Sequence, residues 1–280
     1  MTRIALLADI HGNSPALQAV LEDVARQGCE RLYVLGDIIN GYDPARCIDM
    51  LRGWPGPLAA LHGNAEAYLL TPDLDAFPLR HETMYAALFR LLRWFEAHLT
   101  AEHMAWLTGL PDTIRWNGAC LAHDSPLDRL FPRPRYTPGI DLKYQELMYH
   151  APGIYPDTPP EQLAPLLEWM AAESVWQVYL GHTHVPLNAW HGDKFLCNPG
   201  SVGMPLDGDP RPAWGLLEQT EGEPPLVSIR RVDYDIPAIL QLIDATPDYP
   251  DGGKPGMQPA YKKMLQTGIH WKFHLNEVNP

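Results

Sequence analysis

Ile4 to Ala8 is an unbroken apolar run that stops abruptly at Asp9-Ile10-His11-Gly12-Asn13. A run of this kind, without polar alternation, suits a strand covered on both faces, as in a parallel sheet. A helix follows it. Ser14 is a good N-cap, Pro15 suits the first helical position, Gly28 suits the C-terminal cap, and Leu17, Val20, Leu21 and Val24 fall on one face. The unit then repeats. Arg31–Leu35 runs into Gly36-Asp37; Asp43-Pro44 starts a second helix with Cys47, Ile48 and Leu51 inward; Pro57–Leu61 ends in His62-Gly63-Asn64. This β-α-β-α-β order predicts a parallel sheet with right-handed crossovers, so the chain is of α/β class.

The periodicity continues less regularly. Residues 80–99 form a long helical pattern with Met84, Leu88, Leu91, Leu92 and Phe95 inward, and Thr100 caps a shorter helix ending near Gly109. Asn117-Gly118 between two β-like runs is a strong hairpin signal, and the second run delivers His123. Residues 126–160, rich in Pro, Tyr and Arg, show no period and read as a lid or substrate-shaping insertion. A helix over Glu161–Glu173 leads to the strand Val178–Leu180 and to Gly181-His182-Thr183-His184. In an extended chain alternate side chains share a side, so His182 and His184 aim into one pocket while Thr183 faces away. Gly181 lets the backbone pass close to the occupant of that pocket. Lys194–Cys197 is a further strand, Trp214–Glu218 and Leu226–Val232 pair antiparallel, and Ile236–Ile243 is a helix. The domain is expected over residues 1–246. The tail, 247–280, is expected to pack on it or extend from it, loosely wrapped.

The strand ends collect Asp9, His11, Asp37, Asn64, His123, His182 and His184. Ligands of an open α/β sheet gather at the carboxyl ends of its strands, so one pocket can hold all seven. A His/Asp/Asn set without thiolate favours Mn, Fe, Zn, Co or Ni. Seven ligands exceed the needs of one ion, and two ions about 3.5–4 Å apart can clamp a phosphoryl group and activate water. The formal charge of −13 argues against a sequence-independent nucleic-acid binder, and no sequence-specific nucleic-acid binding is expected either; it does not argue against an anionic substrate, since bound cations reverse the field inside a pocket. Cys29, Cys47, Cys120 and Cys197 form no CxxC pair and read as reduced thiols. With no signal-like leader and no membrane-length apolar run, the expected compartment is the cytoplasm and no membrane is expected as partner.

The ordered set Asp9-x-His11, Gly36-Asp37, Gly63-Asn64, His123 and Gly181-His182-x-His184 resembles the signature of the calcineurin-like metallophosphoesterases. Asn198-Pro199-Gly200-Ser201-Val202-Gly203 and Asp207-Gly208-Asp209-Pro210-Arg211 look like the bacterial branch of predicted phosphodiesterases and diadenosine-tetraphosphatase-like proteins. The resemblance spans roughly residues 3–235. It implies a four-layer α/β/β/α sandwich of two mixed sheets flanked by helices. It also implies two divalent transition-metal ions, Mn first among them: one held by Asp9, His11, Asp37 and His184, the other by Asp37, Asn64, His123 and His182. Asp37 would bridge, and a metal-bridging hydroxide would attack a small phosphorylated, nucleotide-like substrate. Asp37, Asn64 and His11 are the catalytic candidates in this reading.

Many relatives place His or Cys after Gly-Asn to protonate the leaving group; this chain has Ala65. Without that acid, phosphodiesters and anhydrides are favoured over monoesters, unless His62, His150 or a tail histidine substitutes. Asn13, His62, Arg129, Arg133 and Arg135 are the candidate substrate contacts, Asn13 also being suited to orienting a ligand. For the arginines a solvated role in the insertion is as good a reading as a phosphate grip. Tyr136, Tyr144, Tyr149 and Tyr155 are better read as packing than as base-stacking, and His270 and His274 as surface residues. Glu66 either braces a ligand loop or merely opens a short helix. Two alternatives compete: a catalytically weak or inactive scaffold on the same fold, like the retromer subunit, and a protein with one structural metal. Intact ligand positions argue against the first and the absence of thiolates against the second. A homo-oligomer is left open.

Overall fold

The computed structural model describes residues 1–70, 83–127, 153–220, 223–250 and 257–274. Arg129, Arg133, Arg135, Tyr136, Tyr144, Tyr149 and His150, and the side chains of Met84 and Leu88, lie outside the described residues. The N-terminal half is built as β1 (Thr2–Leu7), α1 (Ser14–Arg26), β2 (Arg31–Val34), α2 (Pro44–Arg52), β3 (Leu58–Ala60), α3 (Asn64–Leu69), α4 (Thr83–His98) and α5 (Ala101–Thr108). It continues through β4 (Thr113–Trp116), β5 (Ala119–Ala122), α6 (Pro160–Ala172), β6 (Gln177–Tyr179), β7 (Leu187–His191), β8 (Lys194–Asn198), β9 (Ala213–Gln219) and β10 (Leu226–Arg231). The helices α7 (Ile236–Ala245) and α8 (Met257–Thr267) follow, with a 3-10 turn over Trp271–His274.

The strands form two five-stranded sheets, ordered β10-β9-β1-β2-β3 and β4-β5-β6-β8-β7. Each is mixed. In the first, β1, β2 and β3 are parallel, β9 runs antiparallel to β1, and the edge strand β10 is antiparallel to β9. In the second, β5, β6 and β8 are parallel and β4 and β7 close the edges antiparallel. The period-two alternation of a strand explains how the layers are filled. Ile4, Leu6 and Ala8 of the first run face the second sheet, where they meet Leu121, Tyr179, Phe195 and Cys197. Ala5 and Leu7 face the other way, onto Leu17, Val20 and Val24 of α1 and Cys47, Ile48 and Leu51 of α2. The outer face of the second sheet packs Val178 and Leu196 on Leu163, Leu166 and Met170 of α6. The result is helix, sheet, sheet, helix, the sandwich that the resemblance implies.

Several local expectations are met by identifiable chemistry. Asn117 and Gly118 both take positive φ, 46° and 76°, as a two-residue hairpin with the right-handed strand twist requires. Thr100 caps α5 by accepting from the His103 N–H at 3.2 Å. Others differ. The N-cap of α1 is Asn13, whose side chain accepts from the Ala16 N–H at 3.1 Å, so Ser14 is already inside the helix. β7, which precedes the turn at Gly192, carries little apolar signal because its outward residues Asn188 and Trp190 are exposed edge positions. The tail does not wrap loosely over its described part: α8 buries Ala260 and packs Met264 and Leu265 against Ile239 and Ile243 of α7. His274 is buried too, its Nε2 3.0 Å from Thr267 Oγ1, where a surface position was expected.

Candidate metal centre

The loops that leave β1 and β2 are zipped together by backbone hydrogen bonds. Asp9 N–H donates to Gly36, His11 N–H to Asp37 and Gly12 N–H to Ile38, all at 3.0–3.1 Å, and Asp43 N–H returns to Gly12 at 2.9 Å. This zipper holds Asp9, His11 and Asp37 side by side with left-handed φ of 54°, 47° and 50°. Non-glycine residues in that region are strained and persist only where their surroundings over-determine them, a condition common at functional sites. His182 and His184 share the property, with φ of 72° and 59°. β6 ends at Tyr179, so the expected extended alternation does not extend through this loop. Successive left-handed turns send the two imidazoles to different neighbours instead.

Two groups result, each with its ligand-type atoms within 4.8 Å of one another: Asp9, His11 and His184, and Asp37, His123 and His182. In the first, His11 Nε2 and His184 Nε2 are 3.0 Å apart and Asp9 Oδ1 is 3.5 Å from His184. In the second, His182 Nδ1 is 3.1 Å and Asn64 Oδ1 3.2 Å from His123 Nε2. Asp37 stands between them, Oδ2 3.7 Å from His11 Nε2 and Oδ1 3.5 Å from His123 Nε2. Asp9 Oδ1 is also 3.9 Å from His123. Asn64 and His182 are the less buried members and form the open side. All seven residues expected at strand ends are therefore in one place.

The surroundings fix which nitrogen each imidazole presents. His123 Nδ1 donates to the Leu35 carbonyl at 2.6 Å and His184 Nδ1 to the Met204 carbonyl at 2.7 Å, which turns both Nε2 atoms inward. Burial lowers the pKa of His11, of His184 and, to about 3, of His182, so these rings are neutral and carry a lone pair. His123 is the exception: burial would lower it, but Asp37 and Asp9 beside it push it up to about 10. Burial raises Asp9, while for Asp37 the charge and hydrogen bonds of His123 outweigh burial and lower it. Without a cation, then, a proton on His123 offsets the buried carboxylates. Neutral imidazole nitrogens facing each other at 3.0 Å between two buried aspartates, with no thiolate, are a donor set suited to divalent transition metals.

Glu66 braces the centre. Fully buried at the start of α3, it accepts from the Asp37 and Gly63 N–H groups through Oε2 and from Ile38 and Ile39 through Oε1, at 2.7–3.0 Å. The brace reading of Glu66 therefore holds over the simple helix opener. Ala65 contributes its backbone N–H to Asp37 Oδ1 at 2.8 Å. Asn198 donates to the Gly181 carbonyl and, at 3.0 Å, to Thr183 Oγ1, while Ser201 Oγ donates to the Asp9 carbonyl at 2.7 Å. In sequence Asn198-Pro199-Gly200-Ser201 stands out only as a family mark; its bracing role comes from contacts with Gly181, Thr183 and Asp9. A buried carboxamide and hydroxyl directly after an apolar strand were the available signal.

The candidate substrate contacts are distributed differently. Asn13 spends its oxygen on the α1 cap and its nitrogen on the Gly203 carbonyl at 2.9 Å, so it holds loops. His62 Nε2 lies 2.7 Å from the Leu107 carbonyl and Nδ1 3.3 Å from Asp112, so both nitrogens are engaged away from the ligand cluster. The three arginines fall outside the described residues.

Fold and site together define a class: a two-sheet α/β sandwich gathering paired His/Asp groups of metal-ligand type at its strand ends. A family model of the calcineurin-like phosphoesterase superfamily domain matches residues 2–222, and the chain belongs to that superfamily. The chain is 25% identical over 264 residues to an uncharacterised protein of Methanocaldococcus jannaschii, covering 86% of this chain and 91% of that one. It is 27% identical over 227 residues to the Escherichia coli phosphodiesterase YfcE, covering 78% and 88%. Among solved structures, a metallophosphoesterase from Sphaerobacter thermophilus has a TM-score of 0.66 at 23% identity, covering 96% of this chain and all of that one. A hypothetical protein from Pyrococcus horikoshii has a TM-score of 0.70 at 20% identity with the same coverage. These two share the fold.

Proposed function

We propose that the protein is a phosphoesterase dependent on two divalent cations, acting on a small phosphodiester or nucleotide-like anhydride. The observation that carries this reading is the placing of Asp37 between two His-containing groups, each of which has its own further ligand atoms. Asp9, His11, Asp37 and His184 would hold one cation, and Asp37, Asn64, His123 and His182 the other. Bound there, the cations would supply the charge that acidifies a water molecule and stabilises a phosphoryl group. The chain's own part is to hold neutral imidazoles and two carboxylates in fixed positions and to leave the Asn64–His182 side open to the substrate. A scaffold would have no chemical need for this donor set.

The diester preference rests on Ala65. It is 6% exposed, and its backbone is committed to Asp37. A methyl group cannot deliver a proton, and the nearby His62 has both nitrogens engaged elsewhere. Losing a positioned acid costs about 10²–10⁴-fold with a poor leaving group and little with a good one. The resemblance to a phosphodiesterase of Escherichia coli supports the same preference.

The test is a chelated preparation reloaded with Mn²⁺ and other divalent ions. Bis-p-nitrophenyl phosphate, p-nitrophenyl phosphate, cyclic nucleotides and dinucleoside polyphosphates would be the substrates. Turnover should require metal, favour the diester, and vanish in Asp37→Asn. Two bound ions without turnover on any substrate would favour the scaffold.

A further inference from the structure

Tyr249, beyond the end of α7, sits between the two parts of the chain that carry Asp37 and Asn64. Its ring stacks on Tyr42, centroids 4.0 Å apart at 28°, and Tyr42 belongs to the loop that begins at Asp37. On its other side Tyr249 meets Trp94 of α4 edge-on at 4.9 Å. Trp94 is 7% exposed and shares a core cluster with Ala65 and Leu69 of α3, the helix whose first residue is Asn64. Asp248 secures the wedge by accepting from Trp94 Nε1 at 3.0 Å. A second tie comes from α8, whose Met264 and Leu265 pack in one cluster with Tyr42 and Met204. The Met204 carbonyl is the acceptor that orients His184.

We propose that the C-terminal segment is part of the framework of the metal centre, with Tyr249 as a positioning residue that locks the Asp37 loop against the α3–α4 layer. This rests on reading the site as a metal centre. The physical reason is the division of support along the loop. Glu66 pins its first half through the N–H groups of Asp37, Ile38 and Ile39. Its second half contains Asn40, at a φ of 71°, and Tyr42, the residue Tyr249 covers. Such a backbone keeps its strained conformers only while neighbours hold both ends. Removing the ring frees the second half to relax, and Asp37 with it.

The test compares the full-length chain with Tyr249→Ala, Tyr249→Phe and Asp248→Ala. Calorimetric titration of the chelated proteins with Mn²⁺ alone would be read beside circular dichroism. Wild type and Tyr249→Phe should bind two ions with affinities within about threefold of each other, because phenylalanine keeps the stack. Folded Tyr249→Ala should bind them about 10- to 100-fold more weakly, the usual effect of losing a residue that orients a ligand. Its kcat should return toward wild type at saturating Mn²⁺. Asp248→Ala removes a side chain 61% exposed and serves as the deciding variant should Tyr249→Ala not fold; a several-fold weaker affinity is expected. Wild-type affinity in the folded deciding variant overturns this inference alone. A wild-type chain that binds no Mn²⁺ overturns it together with the metal-centre reading.

Discussion

Glu66 and Asp37 are both buried carboxylates, yet their environments give them different tasks. Glu66 accepts four backbone N–H groups, from Asp37, Ile38, Ile39 and Gly63, and so spends itself on architecture. Asp37 accepts one, from Ala65, and keeps its remaining lone pairs toward the histidines. Glu66→Gln should therefore be costly despite its matching shape. An amide nitrogen cannot accept, so one pair of N–H groups loses its acceptor, at about 1–3 kcal/mol for each buried group left unpaired. With two groups unpaired, chemical denaturation should show a loss of about 2–6 kcal/mol, and metal affinity should fall because those groups belong to the ligand loops. A variant of wild-type stability would refute the brace.

The elements deliver the ligands only because neighbouring loops approach without side chains. Gly63 is the case that touches Asp37 itself: a Cβ there would stand 2.1 Å from Asp37 Oδ1 and 2.2 Å from its backbone nitrogen. Gly63→Ala should cost about 1–3 kcal/mol as an overpacked site and displace Asp37, which a melt and a Mn²⁺ titration would report together. At this scale the sequence was readable where burial is complete. The first β-α-β-α-β unit, the Asn117-Gly118 hairpin and the capped helix after Thr100 each follow from a period, a turn residue or a cap. β7 was missed because an exposed edge strand has no apolar run, and α8 because Pro- and Gly-rich flanks hide an amphipathic stretch that pays off only against α7. The histidine pair was found, but its extended geometry was not, since left-handed backbone is imposed by the Asp9, Asn198 and Ser201 contacts rather than by local propensity.

For the molecule as a whole, cations bound at this site would couple binding to folding. Ions held by the native site and not by the unfolded chain stabilise it by about 2.7 kcal/mol at a hundredfold excess over Kd. Mn²⁺ should raise the Tm of the chelated protein. The increment should be larger at pH 8 than at pH 6, because His123, held up to about 10, must surrender a proton to become a ligand, and that displacement eases as pH rises. Equal increments at both values would mean that His123 does not exchange its proton for a cation. Among the described residues no helix is long and apolar enough to cross a membrane. The sequence alone determined the α/β class, the strand ends at which Asp9, His11, Asp37, Asn64, His123, His182 and His184 stand, and the non-ionisable Ala65 after Gly63-Asn64. Those depend on burial periodicity and residue identity, which are local. Only the tertiary structure decided which nitrogen each imidazole presents, and that Asn13 and His62 are held by their neighbours. It also revealed the wedge of Tyr249 between distant loops. These depend on backbone carbonyls, N–H groups and rings brought together from far apart in the chain, and no local pattern encodes such partners.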